Sequence, residues 1–481
     1  MNLQQMLTQV SVLSTHGVLD REVSGVTRDT REFGPGVLFV AIQGTTFDGH
    51  DFAETIEDGI VVVERMVEAR PGTTVVRVAE GRQALAECAA AFYCNPSTEI
   101  PVIGITGTNG KTTVSSMVSD ALSAVGWRMA RIGTTGAFLE DERIPTTLTT
   151  PEAPELQRLF RRMADAGGDA AVMEVSSIGL VMRRVSSLVF HTGLFTNLSH
   201  DHLDFHGDMD SYAKAKSMLF TELLREEGGS PRAVAWGEDP YLKAMKLPND
   251  KWLYGFGEEW DFSIQDLSLG MSGLHFTVGT PSGAVHILSP LLGRFNALNL
   301  TAALAVGMSL GVPAIQMAEA LSRVKGVRGR AERIANHREV LVVVDYAHSP
   351  DSLVGIIEML KEVISGDCWV VFGCGGDRDK EKRPVMGRVA ETHADHVVVT
   401  TDNPRSEEPQ KIADQILAGM TRPPRRVILD RRSAIAWALQ YAVAGDGVVI
   451  AGKGHETYQE VQGVRTPFDD CAVAAEILES L

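Results

Sequence analysis

Cysteine is scarce in this chain: five residues in 481, Cys88, Cys94, Cys368, Cys374 and Cys471, odd in number, scattered, and nowhere spaced as CxxC. That count excludes a disulfide framework and a zinc site built on paired cysteines, and it fits a reduced cytosol. Long apolar runs are also lacking. The most apolar stretch, Ala297 to Ile315, is broken by Asn299, Thr301 and two glycines, so it reads as a buried helix of a soluble domain and no membrane span is expected. The N-terminal residues MNLQQMLTQVSVLSTHG have neither the basic start nor the apolar run of a signal peptide, and a cytoplasmic location follows as the expectation. Positive charge is in deficit, with 45 Lys and Arg against 62 Asp and Glu and a formal net charge of -17. This opposes nonspecific binding to nucleic acid or to an anionic membrane face, and neither is expected as a partner. Any anionic ligand has to be held by local devices. There is no repeat of fixed short period and no low-complexity tract.

What is present is ordinary globular material, 44% apolar and 22% charged, in a length that argues for three domains. Residues 1–97 carry short strand-like runs, Val37 to Ile42 and Ile60 to Val63, then a helical stretch from Arg82 to Tyr93 and a linker at Cys94-Asn95-Pro96-Ser97. A second block, 98–333, opens with the apolar run Pro101 to Ile105, a glycine-rich turn, and a helix-period stretch from Thr112 to Val125 that Gly126 stops. Between Trp236 and Pro290 the pattern turns to alternation, with GLHFTVGTPSGAVHIL reading as a hairpin around Pro281-Ser282-Gly283, an antiparallel insert. From Val340 onward LVVVDY, CWVVFG, HVVVTT, RRVIL and GVVIAGKG recur with helical stretches between them, as a doubly wound parallel sheet requires, and 334–481 form a third block. The expected architecture is α/β throughout: an N-terminal α/β domain, a central P-loop ATPase-like domain with the insert, and a Rossmann-like C-terminal domain.

The sharpest local signal is Gly104-Ile105-Thr106-Gly107-Thr108-Asn109-Gly110-Lys111-Thr112-Thr113. A strand delivers a glycine-rich turn into a helix N-terminus, where free backbone N–H groups and the helix dipole favour phosphate. Lys111 adds charge and the Thr112 hydroxyl can reach Mg2+. The strict GxxxxGK[ST] spacing is not met, since Ile105 stands five before Gly110. AAVMEVSS ends a strand at Glu174, placed like the metal-organising carboxylate of nucleotide hydrolases, although many strands end in a surface carboxylate. Asn197 to Gly207 gathers three histidines and two aspartates, readable as a metal site or as a solvated polar loop; with HxHxxxH spacing and no HExxH helix, a zinc hydrolase fits less well. In Tyr212 to Phe220, Lys216 sits among small and apolar neighbours, where burial would favour a neutral, reactive amine.

In combination these elements resemble the Mur ligase family. GTNGKTT, TLTTPEA, EVSS, TNLSHDHLDFHG, YAKAKSMLF, GRFNALNL, GVRGRAERI, DYAHSPDSL, FGCGGDRDKEKRP, TTDNPR and AGKGHE occur in the family's order over nearly the whole chain. The resemblance implies an ATP-dependent amide ligase of peptidoglycan precursor synthesis. It would add meso-2,6-diaminopimelate to UDP-N-acetylmuramoyl-L-alanyl-D-glutamate through an acyl phosphate, with ATP and Mg2+, as a monomer. By the same resemblance Gly107, Thr108, Asn109, Gly110, Lys111, Thr112 and Thr113 would hold ATP phosphates, with Asn299 and His348 toward the adenosine and Arg330 and Asp345 at the domain junction. Metal ions would sit among Thr112, Glu174, His202 and Lys216, the last as a carbamate. Catalysis would fall to Lys111, Glu174, His202 and Lys216. The nucleotide-sugar peptide, on the 1–97 domain and its border, would meet Thr30, Thr45, Thr46, Thr149, Thr150, Ser176 and Arg184. The incoming amino acid, on 334–481, would meet Arg378, Asp402, Asn403, Pro404, Arg405, Gly452 and Glu456. Three substrates on three domains imply closure before chemistry.

Two positions depart from the family pattern: Ile178 stands where EVSSH is usual, and Met182 replaces a residue that is often polar. Asp402-Asn403-Pro404-Arg405 could be simply a type I turn, but its place after a strand of a parallel sheet favours a ligand site. Its arginine fits a substrate with an extra carboxylate, diaminopimelate over L-lysine. Rival functions are the same ligase using L-lysine, a folylpolyglutamate synthase-like ligase, a P-loop kinase or transport ATPase, and a nucleotide-sugar binding protein without catalysis.

Overall fold

The structure, a computed structural model, describes residues 1–44, 47–140, 142–224 and 232–481. The chain forms two compact units, one of Met1–Ser263 with Gly279–Gly283 and Asn299–Ala320, the other of Ile264–Val278, Ala284–Leu298 and Leu321–Leu481.

In the first unit the N-terminal residues make a five-stranded sheet in the order Val12–His16, Thr74–Val78, Ile60–Val63, Val37–Val40, Gly25–Thr27, parallel except for its first strand. Strand period two explains the continuous apolar runs, because both faces are covered. Leu38, Val40, Val62 and Val76 pack with Ala84, Leu85 and Cys88 of the helix Gly81–Phe92. Their neighbours Phe39, Val61, Val63 and Val75 pack on the opposite side with Ala53 and Ile56. The expected linker begins with Cys94 and Asn95 both at positive φ, 60° and 50°, and then a short 3-10 turn over Pro96–Thr98.

The central sheet of this unit runs Lys251–Phe256, Arg232–Trp236, Thr192–Phe195, Val102–Thr106, Ala170–Glu174, Met129–Gly133, Gly136–Leu139, Glu142–Ile144. It is parallel over the first six strands and antiparallel over the last two. From Val102–Thr106 the chain winds outward through the helix Lys111–Ala124 to Met129–Gly133, returns to Ala170–Glu174, and then crosses to Thr192–Phe195 on the other side. Val102–Thr106 is therefore a topological switch point, the place where open α/β sheets bind ligands beyond their carboxyl ends. Register puts three ends level there: Phe195 opposite Thr106, and Glu174 opposite Ile105.

The apolar stretch 297–315 is two helices, Arg294–Ser309 and Ala314–Leu321, where one was expected. Gly311 at φ +87° donates to Met308 O and Val312 N to Gly307 O. That paired arrangement closes a helix with a left-handed residue, and Pro313 then begins a new turn. The expected hairpin around Pro281-Ser282-Gly283 is present: Pro281 and Ser282 join strands Gly273–Thr280 and Gly283–Ser289, and Gly283 opens the second strand. Among the described residues no helix is long and apolar enough to cross a membrane.

The second unit holds a six-stranded sheet in the order Glu332–Ile334, Leu341–Asp345, Gly447–Ala451, Cys368–Phe372, His396–Val399, Arg426–Val427, parallel except for its first strand. Val343, Val370, Phe372 and Val449 face one helical layer, and Val342, Val344, Val371 and Val448 the other. The strand that comes last in the chain in this sheet, Gly447–Ala451, inserts between two earlier ones, so this sheet too has a switch point, at the carboxyl ends of Asp345, Phe372 and Ala451.

Candidate functional site

The first candidate site lies at the carboxyl edge of the central sheet. Gly107 and Gly110 both have positive φ, +147° and +85°. A Cβ on Gly107 would stand 1.9 Å from Thr196 Oγ1, and one on Gly110 would stand 3.0 Å from Asn299 Oδ1, so the turn is held by residues of two other elements. Thr108 N donates to Asn197 O (2.8 Å), Asn109 N to Asn197 Oδ1 (2.9 Å), and Thr196 Oγ1 to Asn109 O (2.6 Å). Lys111, at the helix start, folds its Nζ back onto Gly107 O and Thr108 O, both at 2.8 Å. The loop is thus tied to the segment after Thr192–Phe195, and it encircles a cation at the mouth of a helix N-terminus.

Glu174 is buried at 1% exposure and its carboxylate accepts three hydrogen bonds. Thr112 Oγ1 donates at 2.9 Å, Thr134 N at 2.9 Å and Thr134 Oγ1 at 3.1 Å. Gly133 is needed at the strand end because a Cβ there would fall 2.1 Å from Glu174 Oε1. Thr112 and Glu174, distant in sequence, are therefore joined directly. Lys216, 1% exposed, donates from Nζ to Gly107 O at 2.8 Å and stands 4.4 Å over the Tyr212 ring. Burial and then the neighbouring Lys111 hold its ammonium well below the usual lysine range, against a weaker pull upward from Asp201.

His202 is at φ +54°, on the surface, with Nε2 3.6 Å from Asp201 Oδ2. It stands farther out than the Thr112–Glu174 pair. His200 is also exposed, while His206 Nε2 pairs with Ser177 Oγ at 2.9 Å and its ring lies 5.0 Å from Tyr212. Burial chiefly, then Lys216 and His202, push the His206 imidazolium below its ordinary range. The three histidines are not gathered on one centre, and among the described residues no group of three or more His, Cys, Asp or Glu is arranged to hold a metal ion. The Thr112 hydroxyl and Glu174 carboxylate are hard oxygen donors and suit Mg2+ in kind.

Further along the same edge, Thr150 Oγ1 donates to Glu174 O at 3.0 Å and lies 3.0 Å from Ser176 Oγ, and Ser176 Oγ accepts from Gly179 N to cap the helix Ser177–Val181. Thr149 Oγ1 lies 3.1 Å from Thr134 Oγ1. Arg184 reaches Thr150 O and, with Arg28, shares Glu152 Oε1, all at 3.1 Å. Thr149, Thr150, Ser176 and Arg184 are thus brought to the Glu174 end. Thr30 lies half-buried in the turn after Gly25–Thr27, and Thr45 and Thr46 lie outside the described residues. Ile178 is half-buried in the short helix and Met182 ends it.

In the second unit, Asp345 Oδ1 and Oδ2 accept from Ala347 N and Ala331 N, each at 2.7 Å, and burial pushes its carboxyl upward against Arg330. The Arg330 guanidinium lies 4.8 Å over the Tyr346 ring, and His348 Nδ1 meets Tyr346 O at 2.8 Å, so Arg330, Asp345 and His348 do come together. Around the ends of Cys368–Phe372, His396–Val399 and Gly447–Ala451 sit the expected amino-acid residues. Asp402, Asn403 and Pro404 are buried, and a Cβ on Gly452 would fall 2.4 Å from Asp402 Oδ2. Arg405, at φ +50°, donates from Nη1 to Gly376 O at 2.7 Å, while Arg378 is exposed. Asn403 Nδ2 donates to Glu456 Oε2 at 2.7 Å.

Sequence reasoning passed over the groups that hold these residues. Thr134, Asn197 and Tyr212 brace the loop and Glu174; the last two lie inside the motifs quoted above, and Thr134 in a Gly-Thr-Thr-Gly run no motif flagged. Arg383, fully buried, is paired with Glu407 at 2.9 Å, which holds that carboxyl down to about 2. Arg431 and Asp470, both buried, pair at 2.7 Å, and Arg431 also donates to Ala451 O at 3.0 Å.

A glycine-rich loop at a helix N-terminus joined to a buried strand-end carboxylate, with a second α/β sheet that gathers charged groups at its own switch point, suits a nucleotide-dependent ligase. Residues 22–93 match the Mur ligase family catalytic domain, 105–307 the Mur ligase middle domain and 329–454 the Mur ligase glutamate ligase domain. The chain belongs to the Mur ligase family. It is 40% identical over 493 residues to the UDP-N-acetylmuramoyl-L-alanyl-D-glutamate--2,6-diaminopimelate ligase of Bacillus licheniformis, covering 100% of both chains. A solved structure of a ligase with that name is 32% identical, with a TM-score of 0.73 over 100% of this chain and 99% of the other. Mycobacterium tuberculosis folylpolyglutamate synthase, 22% identical with a TM-score of 0.62 over 76% of this chain and 91% of the other, shares the fold.

Proposed function

We propose that this chain is a cytoplasmic ATP-dependent ligase joining meso-2,6-diaminopimelate to UDP-N-acetylmuramoyl-L-alanyl-D-glutamate, with ADP and phosphate as the other products, in peptidoglycan precursor synthesis. The observation that carries the reading is the loop Gly107–Thr113, with Lys111 Nζ held at its rim and Thr112 Oγ1 on Glu174 at 2.9 Å. Identity with a diaminopimelate ligase over the whole chain supports the choice of substrates. The division of labour is 1–97 for the UDP-sugar peptide, 98–333 for ATP and 334–481 for the amino acid.

The D-glutamate side-chain carboxylate attacks the γ-phosphorus of ATP, the bond to the bridging oxygen breaks, and ADP leaves. The amine of diaminopimelate then attacks the acyl carbon, phosphate departs with the C–O electron pair, and the amine proton is lost. Lys111 offsets charge that develops on the phosphoryl oxygens, the main demand of such a transfer. Thr112 and Glu174 would hold Mg2+, which adds to that neutralisation, with His202 and Lys216 as further partners. Lys216, buried and favouring the neutral amine, suits addition to CO2, which gives a carbamate and a proton and replaces a repelling cation by an oxygen donor. Arg184, Ser176, Thr150 and Thr149 would hold the peptide end of the UDP substrate beside Glu174, and Thr30, Thr45 and Thr46 its nucleotide-sugar part.

The test is ADP release by purified protein with each substrate omitted in turn, and the mass of the product. Release that needs both the UDP-peptide and diaminopimelate, with one amide formed per ADP, supports the ligase. Release without the amine, with a stable phosphorylated product, would make it a kinase.

A further inference from the structure

Lys453 is the most completely enclosed ammonium in the second unit, at 0% exposure, and nothing in the proposed chemistry uses it. A lysine charge is almost never buried unless each of its donors is answered. Here all three are: Nζ donates to Asn403 Oδ1 at 3.2 Å, to Glu456 Oε2 at 3.3 Å, and to Tyr458 O. The Tyr458 ring lies 5.5 Å away as a further soft partner. Asn403 Oδ1 also accepts from Glu460 N at 2.9 Å. With its oxygen committed twice, the amide can offer only Nδ2 to Glu456 Oε2, at 2.7 Å. Glu456 is thereby fixed through one oxygen by Lys453 and Asn403 together, and its backbone N–H is tied to Lys453 O at 2.9 Å. Its side chain keeps 19% exposure, and its hydrogen bonds from Asn403 and Lys453 both fall on Oε2, with none on Oε1 among the described residues.

We propose that Lys453 is a positioning residue for the incoming amino acid. It locks Asn403 and the inner oxygen of Glu456 so that Glu456 Oε1 is presented, as a lone carboxylate oxygen, to an ammonium group of that substrate. The inference rests on the amino-acid site assigned above and adds to it the group that sets its geometry. Two buried features argue against mere filling. An apolar side chain of similar length would satisfy the space at less cost, since burying a charge is expensive. And the three acceptors of Lys453 come from three separate segments, the 402–405 turn, the 453–456 turn and the strand Tyr458–Val461, so one side chain sets their mutual register.

The experiment compares wild type, Lys453→Met, Glu456→Gln and the double variant in steady-state ligation, varying ATP, UDP-peptide and diaminopimelate separately. The expected result is a KM for diaminopimelate raised about ten- to a hundredfold by Lys453→Met, with the KM for ATP and for UDP-peptide within about twofold. In the Glu456→Gln background the same change should cost no more than about threefold, because its effect runs through Glu456. Equal losses for all three substrates, or an undiminished effect in the Glu456→Gln background, would make Lys453 purely structural. Lys453→Gln, which keeps a donor without the charge, repeats the measurement if the methionine variant does not fold; failure of both to fold also overturns the assignment. Wild type that ligates no diaminopimelate would defeat the reading of the site itself, whereas wild type that ligates it while Lys453→Met keeps its KM would defeat only the role of Lys453.

Discussion

The central and C-terminal sheets use the same topological device and build very different sites on it. At the edge of the central sheet, where we propose that the phosphates bind, the groups on offer are largely backbone: Gly107 and Gly110 turn the chain, and Lys111 and Thr112 follow at once on the helix that the loop opens. At the edge of the C-terminal sheet the groups are side chains, held by bonds to distant segments, as Arg405 is by Gly376 O and Asn403 by Glu460 N, while the buried Arg431–Asp470 pair ties down the strand end at Ala451 O. A polyphosphate is the same in every nucleotide and needs only N–H groups and one cation, which a contiguous loop provides. An amino acid has to be told from its relatives, and that takes charges placed from several directions at once.

Damage to the two sites should therefore differ in kind. Lys111→Ala should abolish ligation, a loss of at least ~3 kcal/mol in the transition state, measured as ADP release. Activity within a few-fold of wild type would break the comparison at its first term. Arg431→Met should instead strike stability, since it leaves Asp470 buried and unpaired, at a cost of about 3–5 kcal/mol, while replacing both partners by apolar residues should recover most of the loss. Denaturant unfolding of the single and double variants reads this out. Lys216→Ala should lower the rate by roughly ten- to a hundredfold, partly restored by a short added carboxylate, as expected for a group that completes a metal site. No rescue with full Mg2+ dependence retained would contradict the carbamate. Smallest of all, Ser176→Ala removes the cap that accepts from Gly179 N and should cost about 1 kcal/mol of stability, with a rise in KM for the UDP-peptide alone.

The same contrast explains what could be read from the chain before the fold. The glycine-rich turn between strand Val102–Thr106 and helix Lys111–Ala124 was legible because its parts are adjacent in sequence, and that context is written in Pro101–Ile105 and the periodic stretch after Thr112. Glu174 was legible as a strand end, but its bond to Thr112 was not, because only the register of Ala170–Glu174 against Val102–Thr106 brings the two together. Gly311 and Pro313 were in plain view, yet the apolar pattern ran past them and hid the break between two helices. Asp402 and Arg405 were visible in DNPR; Arg383 and Lys453 lie inside the quoted FGCGGDRDKEKRP and AGKGHE and Arg431 outside any motif, but the burial of none of the three could be read, because single charged residues look alike in sequence and only the fold shows which are fully enclosed. His202 shows the reverse case, a residue prominent in a histidine-rich motif that stands at the surface at φ +54°.

The central claim is that the C-terminal edge chooses the amino acid, and Arg405 is where it can be tested most directly. Its backbone is pinned by bonds from its N–H to Glu460 O at 3.0 Å and to its carbonyl from Gln462 N at 2.6 Å, and its guanidinium is turned toward Gly376 O at 2.7 Å. A planar donor pair held in this way suits the second carboxylate that diaminopimelate has and lysine lacks. The measurement is competition between meso-2,6-diaminopimelate and L-lysine for ligation to the UDP-peptide, read by product mass, with wild type and with Arg405→Ala. Wild type should prefer diaminopimelate by roughly a thousandfold or more in kcat/KM, and the variant should lose most of that preference while still releasing ADP. A wild type that prefers lysine, or a variant that keeps its full preference for diaminopimelate, would contradict the account.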